Sequence, residues 1–169
     1  MPSDRDLKLR TAQHEAGHAT VATVLFPDLV GSVTIVADLS SENPYRRTDG
    51  CSELLAGERS IEGMIVWAYG GMVADAMFTG ERHSEGSLND FVDIGRYQLA
   101  LEHRQTAEMS WWEKHRWRQN QSFDPRDQAE HLLAREHRLF DAIVRGLIAQ
   151  NTLSREDLLA LRSLHLRGV

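Results

Sequence analysis

The stretch from about Ser60 to Phe78 constrains this chain most, because it reads as one helix that is apolar on nearly every face. Such a helix has no side suited to water, so it predicts a segment at the centre of the fold with other elements packed around it. Its apolar core, Met64 to Phe78, would cross only about 22 Å at ~1.5 Å per residue and contains Asp75, so a core helix is the better reading than a membrane span. Gly80 is placed to end it.

Other elements follow from the same kind of pattern. Residues 5–26 are rich in Ala, Leu and Glu and stop at Pro27, which predicts a first helix. Leu29 to Ala37 is rich in β-branched residues and is the one clear strand, followed by a Ser, Asn, Pro and Gly loop, LSSENPYRRTDGCS. A third helix opens near Ser87 and keeps Phe91, Ile94 and Leu101 in helical period. Residues 109–125 read as irregular. Residues 126–150 read as one amphipathic helix, and a last helix begins at Ser154 with Asp157 as its capping-box partner. The expectation is a mostly α (α+β) fold with a small sheet or hairpin, forming a single domain over 1–169. Within it, 1–108 carries the chemistry, 109–125 is a Trp-rich segment and 126–169 holds the C-terminal helices.

Composition serves mainly to exclude. A 169-residue chain can bury a sizeable core without disulfides, and its single cysteine, Cys51, rules out a disulfide framework or an all-cysteine zinc finger. The net charge of −6 argues against nucleic acid as a partner, as does the near balance of charges from Arg104 to Arg138. The first residues lack the apolar run of a secretory signal, so a cytoplasmic protein with no membrane partner and a reduced Cys51 is expected. Trp111, Trp112 and Trp117, mixed with Lys114, Arg116 and Arg118, read either as a docking surface or, more simply, as a loop covering the core.

Residues 14–18 read His14-Glu15-Ala16-Gly17-His18 within the first helix. Four-residue spacing puts both imidazoles on one helical face, where they can bind one Zn²⁺, with Glu15 beside them as a base toward an activated water. The bland alternative is an amphipathic helix with two exposed histidines. A mid-helix glycine costs about 1 kcal/mol against alanine, which points to a packing need at Gly17. A third protein ligand is required. The metzincin position, six residues after His18, is Val24, which excludes that class, and Glu42 lies in a loop poorly suited to the role.

TAQHEAGHATV resembles the zinc helix of the peptidase M41 family, the protease domain of FtsH-type ATP-dependent proteases. GSVTIVA is similar to that family's following strand, YGGMVADAMFTG to its Gly-Gly helix, EGSLNDFVDIGRYQLA to the segment carrying its third ligand, and LFDAIVRGLIAQNTLSREDLLAL to its closing helices. The resemblance covers almost the whole chain in order. It implies a zinc metallopeptidase with His14, His18 and Asp90 as ligands and Glu15 as the catalytic carboxylate. Asp90 could equally serve as an acid in the first turn of its helix, and Asp93, one turn along, is the alternative ligand. Asp75 and Asp93 are both candidates to orient the histidines.

The departures from the family are specific. These residues hold no Walker-type motif and no anchor is expected, so any peptidase activity is expected to be ATP-independent, with a polypeptide substrate delivered by a separate ATPase or adaptor, or reached unaided. The oligomeric state stays open, a homo-oligomer included. His83 and Glu85 replace residues usual in the family and read as extra ligands or, more blandly, solvated turn residues. The strand Gly31 to Ala37 could pair with an extended peptide, or lie inside the sheet. The rival to an enzyme is a catalytically silent binding or regulatory module of the same fold.

Overall fold

The computed structural model describes residues 3–37, 50–78, 80 and 88–168. Helix α1 (Asp4–Leu25) leads through β1 (Val30–Thr34) and β2 (Cys51–Leu54) to α2 (Ile61–Phe78) and α3 (Leu88–Thr106). Helices α4 (Trp111–Gln119), α5 (Pro125–Arg135) and α6 (His137–Gln150) follow, then β3 (Thr152–Leu153) and α7 (Arg155–Leu166). The fold is mostly helical with one small antiparallel sheet, as expected.

Local chemistry sets most boundaries. Ser3 and Asp6 form a capping box at the start of α1, and Phe26, held out of helical geometry ahead of Pro27, ends it. Ser154 and Asp157 cap α7 in the same reciprocal way. Asn151 takes the left-handed conformation (φ 64°) at the end of α6, and its carbonyl accepts the Ile35 N–H at 2.8 Å, steering the chain into β3.

Helix α2 does lie at the centre, packed against α1, α3 and α5. A shared apolar core joins Ala12, Ala16 and Ala19 of α1 to Val66 and Val73 of α2, Leu133 of α5, Phe140 and Leu147 of α6, and Leu158 of α7. The α1–α2 contact is made by backbone. A Cβ on Gly17 would lie 2.3 Å from the Gly70 carbonyl oxygen, so the helices meet at this distance only because neither residue carries a side chain. That packing need accounts for the glycine in the middle of α1.

Several expectations are corrected. Among the described residues the sheet order is β2-β1-β3, so of the two readings of the first strand the interior one holds; the outer strand near α1 is β2, within and just past the stretch read as loop. Its four residues are too few, and too close to Gly50, to announce a strand. Residues 111–119 of the segment read as irregular form a helix, because the Ser110–Glu113 capping box starts one where no apolar period exists. Trp111 and Trp112 are exposed and cover no core. The helix expected over 126–150 is two, interrupted at Glu136, whose carboxylate turns to Arg135 and to His165 of α7. Glu42, His83, Glu85 and Ser87 lie outside the described residues.

Candidate metal centre

Packing at Gly17 and Gly70 directs one face of α1 onto one face of α2. His14 and His18, one turn apart, meet Trp67, Gly71 and Asp75, which recur every four residues along α2. The N-terminal turn of α3 adds Asp90. His14, Glu15, His18 and Asp75 are all buried.

The second nitrogen of each imidazole is fixed. His14 Nδ1 lies 2.8 Å from Asp75 Oδ2, and His18 Nδ1 lies 2.9 Å from the carbonyl oxygen of Trp67. A carbonyl only accepts, so His18 Nδ1 must donate, and in the neutral ring its Nε2 then carries a lone pair. The carboxylate of Asp75 imposes the same tautomer on His14. The two Nε2 atoms face each other at 3.3 Å. Asp90 brings Oδ2 to 3.1 Å from His14 Nε2 and Oδ1 to 3.3 Å from His18 Nε2. Oδ2 is buried, so the two histidine rings are the polar groups that face it at short range.

Four electron-rich atoms therefore converge in a buried space and need positive charge between them. Protons answer that need in part. Burial disfavours the His14 cation, but hydrogen bonds to Asp75 and Asp90 and their neighbouring charges raise its pKa to about 10. His18 is raised too, burial again opposing and Asp90 prevailing. Asp90 is held well below the usual carboxylate range, where burial is outweighed by the charge of His18 and hydrogen bonds from both histidines. The same arrangement can hold a metal ion. His14, His18 and Asp90 each offer a ligand atom, all within 4.8 Å of one another. Gly71 keeps the space open, because a Cβ there would lie 2.4 Å from His18 Nε2 and 2.5 Å from His14 Nε2. Two imidazoles and a carboxylate are a donor set that suits zinc.

Glu15 sits beside the cluster beneath Gly50, where a Cβ would lie 2.9 Å from its Oε1. Burial pushes its carboxyl up, partly countered by His18 and His14, which makes it a stronger base than a solvated glutamate. Asp93 does not join the group; it pairs with Arg96 at 3.2 Å on the outer side of α3. Of the two candidates to orient the histidines, Asp75 holds His14, whereas His18 is held by the Trp67 carbonyl. No side-chain identity could reveal a backbone acceptor. Gly71 had a visible signal in the Gly70-Gly71 pair, four residues from both Trp67 and Asp75.

No protein family model matches this chain, and no curated protein matches it.

Proposed function

We propose that this protein is a zinc-dependent endopeptidase of the M41 type that hydrolyses peptide bonds in flexible or unfolded polypeptides. The observation that carries the reading is the convergence of two Nε2 atoms and the Asp90 carboxylate over the bare Cα of Gly71, with Glu15 alongside. The resemblance of TAQHEAGHATV and EGSLND to M41 motifs is consistent with it.

His14, His18 and Asp90 are the proposed ligands. Zinc, when bound, supplies Lewis acidity that polarises a carbonyl and acidifies a water. Glu15 takes the proton of the attacking water and returns it to the departing amine, a role its raised pKa suits. Asp75 and the Trp67 carbonyl keep both histidines in the ligating tautomer. The proposed substrate seat is the outer edge of β2. Leu55 N–H donates to the Leu29 carbonyl, so by strand alternation Ser52 and Leu54 turn their backbone groups away from β1, toward a peptide strand that could add there.

The proposed setting is the cytoplasm, with Cys51 a reduced thiol; among the described residues no helix is long and apolar enough to cross a membrane. Unfolded substrate is taken directly or from a separate ATPase or adaptor.

Elemental analysis and peptide cleavage test the reading together. Wild type should hold about one zinc per chain and Asp90→Ala much less. Glu15→Gln should keep its zinc while cleavage of an unstructured peptide falls about 10²–10⁴-fold. Zinc without any cleavage in wild type would make the chain a silent binding module. No metal after zinc is supplied would remove the enzyme reading altogether.

A further inference from the structure

Helix α4 buries none of its nine residues and has no extensive packing against any other described element. A helix this short is not stable alone in water. What holds it is the Ser110–Glu113 capping box and an ion pair from Arg118 to Glu102 of α3. At ~100° per residue, Trp111, His115 and Trp112 share one side, with Arg116 and Arg118 at its margins. Lys114 and Trp117 are only part-exposed.

That outer side is unusual for a surface in contact with water. Trp111 is 65% and Trp112 69% exposed, so about two-thirds of each indole stays wet. Their rings meet edge to face with centroids 4.4 Å apart, and Trp111 stacks on His115 at 5.8 Å, so the aromatic facet is preformed. Three cations, Lys114, Arg116 and Arg118, stand against two acids, Glu113, whose carboxylate is engaged by Ser110, and Glu102 of α3, which pairs with Arg118. The facet is thus locally cationic on a chain of net charge −6.

We infer that α4 docks the protein peripherally and reversibly on an anionic membrane surface, with Trp111 and Trp112 at headgroup depth and Arg116 toward the phosphates. Indoles favour that interface because one part of the ring is apolar and its N–H is polar, and basic side chains add attraction to anionic lipid. A lipid surface suits the facet better than an acidic peptide, because the two indoles stand out from the surface and the cleft beside α4 is lined by Glu108 and Glu113 as well as Arg104. The expectation of no membrane partner came from the lack of a spanning segment and a signal, criteria that do not detect surface docking. The inference is independent of the metal centre.

Co-sedimentation of the full chain with phosphatidylcholine vesicles, with and without phosphatidylserine, tests it. The expected result is binding to the phosphatidylserine vesicles, with tryptophan emission moving to shorter wavelength. Trp111→Ala/Trp112→Ala should lower partitioning by about tenfold or more with circular dichroism and thermal midpoint unchanged. Arg116→Glu should lower it by about fivefold or more, through its charge. Absence of binding, equal binding to neutral vesicles, or full binding by the double variant would each overturn the proposal. So would concentration-dependent self-association without lipid that the double variant abolishes, which would give the facet to a second copy of the chain.

Discussion

The α1–α2 crossing and α4 differ in what makes each of them a helix. At the crossing, backbone meets backbone through Gly17 and Gly70, and the buried residues beside it include four ionisable groups, His14, Glu15, His18 and Asp75. In α4 nothing is buried, and the helix rests on a cap and an ion pair. The first region is over-determined, since moving either helix by a few tenths of an ångström disturbs both the core and the cluster. The second is free to meet something else. Rigid packing is what a metal centre needs to hold its ligands in place, and an exposed facet is what a docking surface needs.

This contrast can be broken most sharply at Gly71. Gly71→Ala puts a methyl between the two Nε2 atoms, and zinc retention should fall by at least about tenfold with the secondary structure kept. Elemental analysis beside far-ultraviolet circular dichroism checks both halves; normal zinc content would mean that the ligands do not converge over Gly71. Next in size is Gly17→Ala. Its methyl meets the Gly70 carbonyl and should cost about 1–3 kcal/mol or more in urea unfolding, whereas Trp112→Ala on α4 should stay within about 0.5 kcal/mol. Equal costs would mean that α4 is packed after all.

Two caps sharpen the comparison further. Ser154→Ala removes the capping box of α7, a helix with Leu158 in the core, and should lower global stability by about 1 kcal/mol. Ser110→Ala removes the same device from α4 and should leave the global midpoint in place while amide exchange in 111–119 speeds up. A further small effect belongs to Glu136, which ties the α5–α6 break to α7. Burial pushes its carboxyl up, but Arg135 and His165 outweigh it and hold the pKa below the ordinary 4.5. A depressed carboxyl contributes stability above its unfolded value and loses it as pH falls through the folded one. Glu136→Gln should therefore cost under about 1 kcal/mol near neutrality, and the gap from wild type should shrink below about pH 4.5. A gap that widens in acid would reverse the sign of the interaction.

Much of the fold was legible in the residues because the signals were local. The apolar run of α2, the Ser154–Asp157 box and the stop at Pro27 act over a few positions, and each appears in the structure. Structure departs from the sequence pattern where a local signal is missing or is outvoted. Residues 126–150 keep a helical apolar period across Glu136, yet α5 and α6 separate there, where Glu136 reaches His165 on α7. The Trp-rich segment has no apolar period, yet its capping box is enough to start α4. Strand β2 is recognisable only through its partner β1.

The candidate site divides along the same line. That His14 and His18 share a helical face follows from 3.6 residues per turn, and Glu15 between them from the covalent order of the chain. Which distant carboxylate completes the group was decided by three-dimensional packing. Asp90 and Asp93 differ by one turn of α3, and only the way that helix lies on α2 turns the first inward and leaves the second with Arg96. Asp75, the Trp67 carbonyl and the bare Cα of Gly71 likewise reach the histidines only because Gly17 and Gly70 let two helices touch. Sequence alone determined the spacing of groups along one helix, because the backbone fixes it. The meeting of groups from three helices was left to the tertiary structure, because close packing of side chains sets those distances.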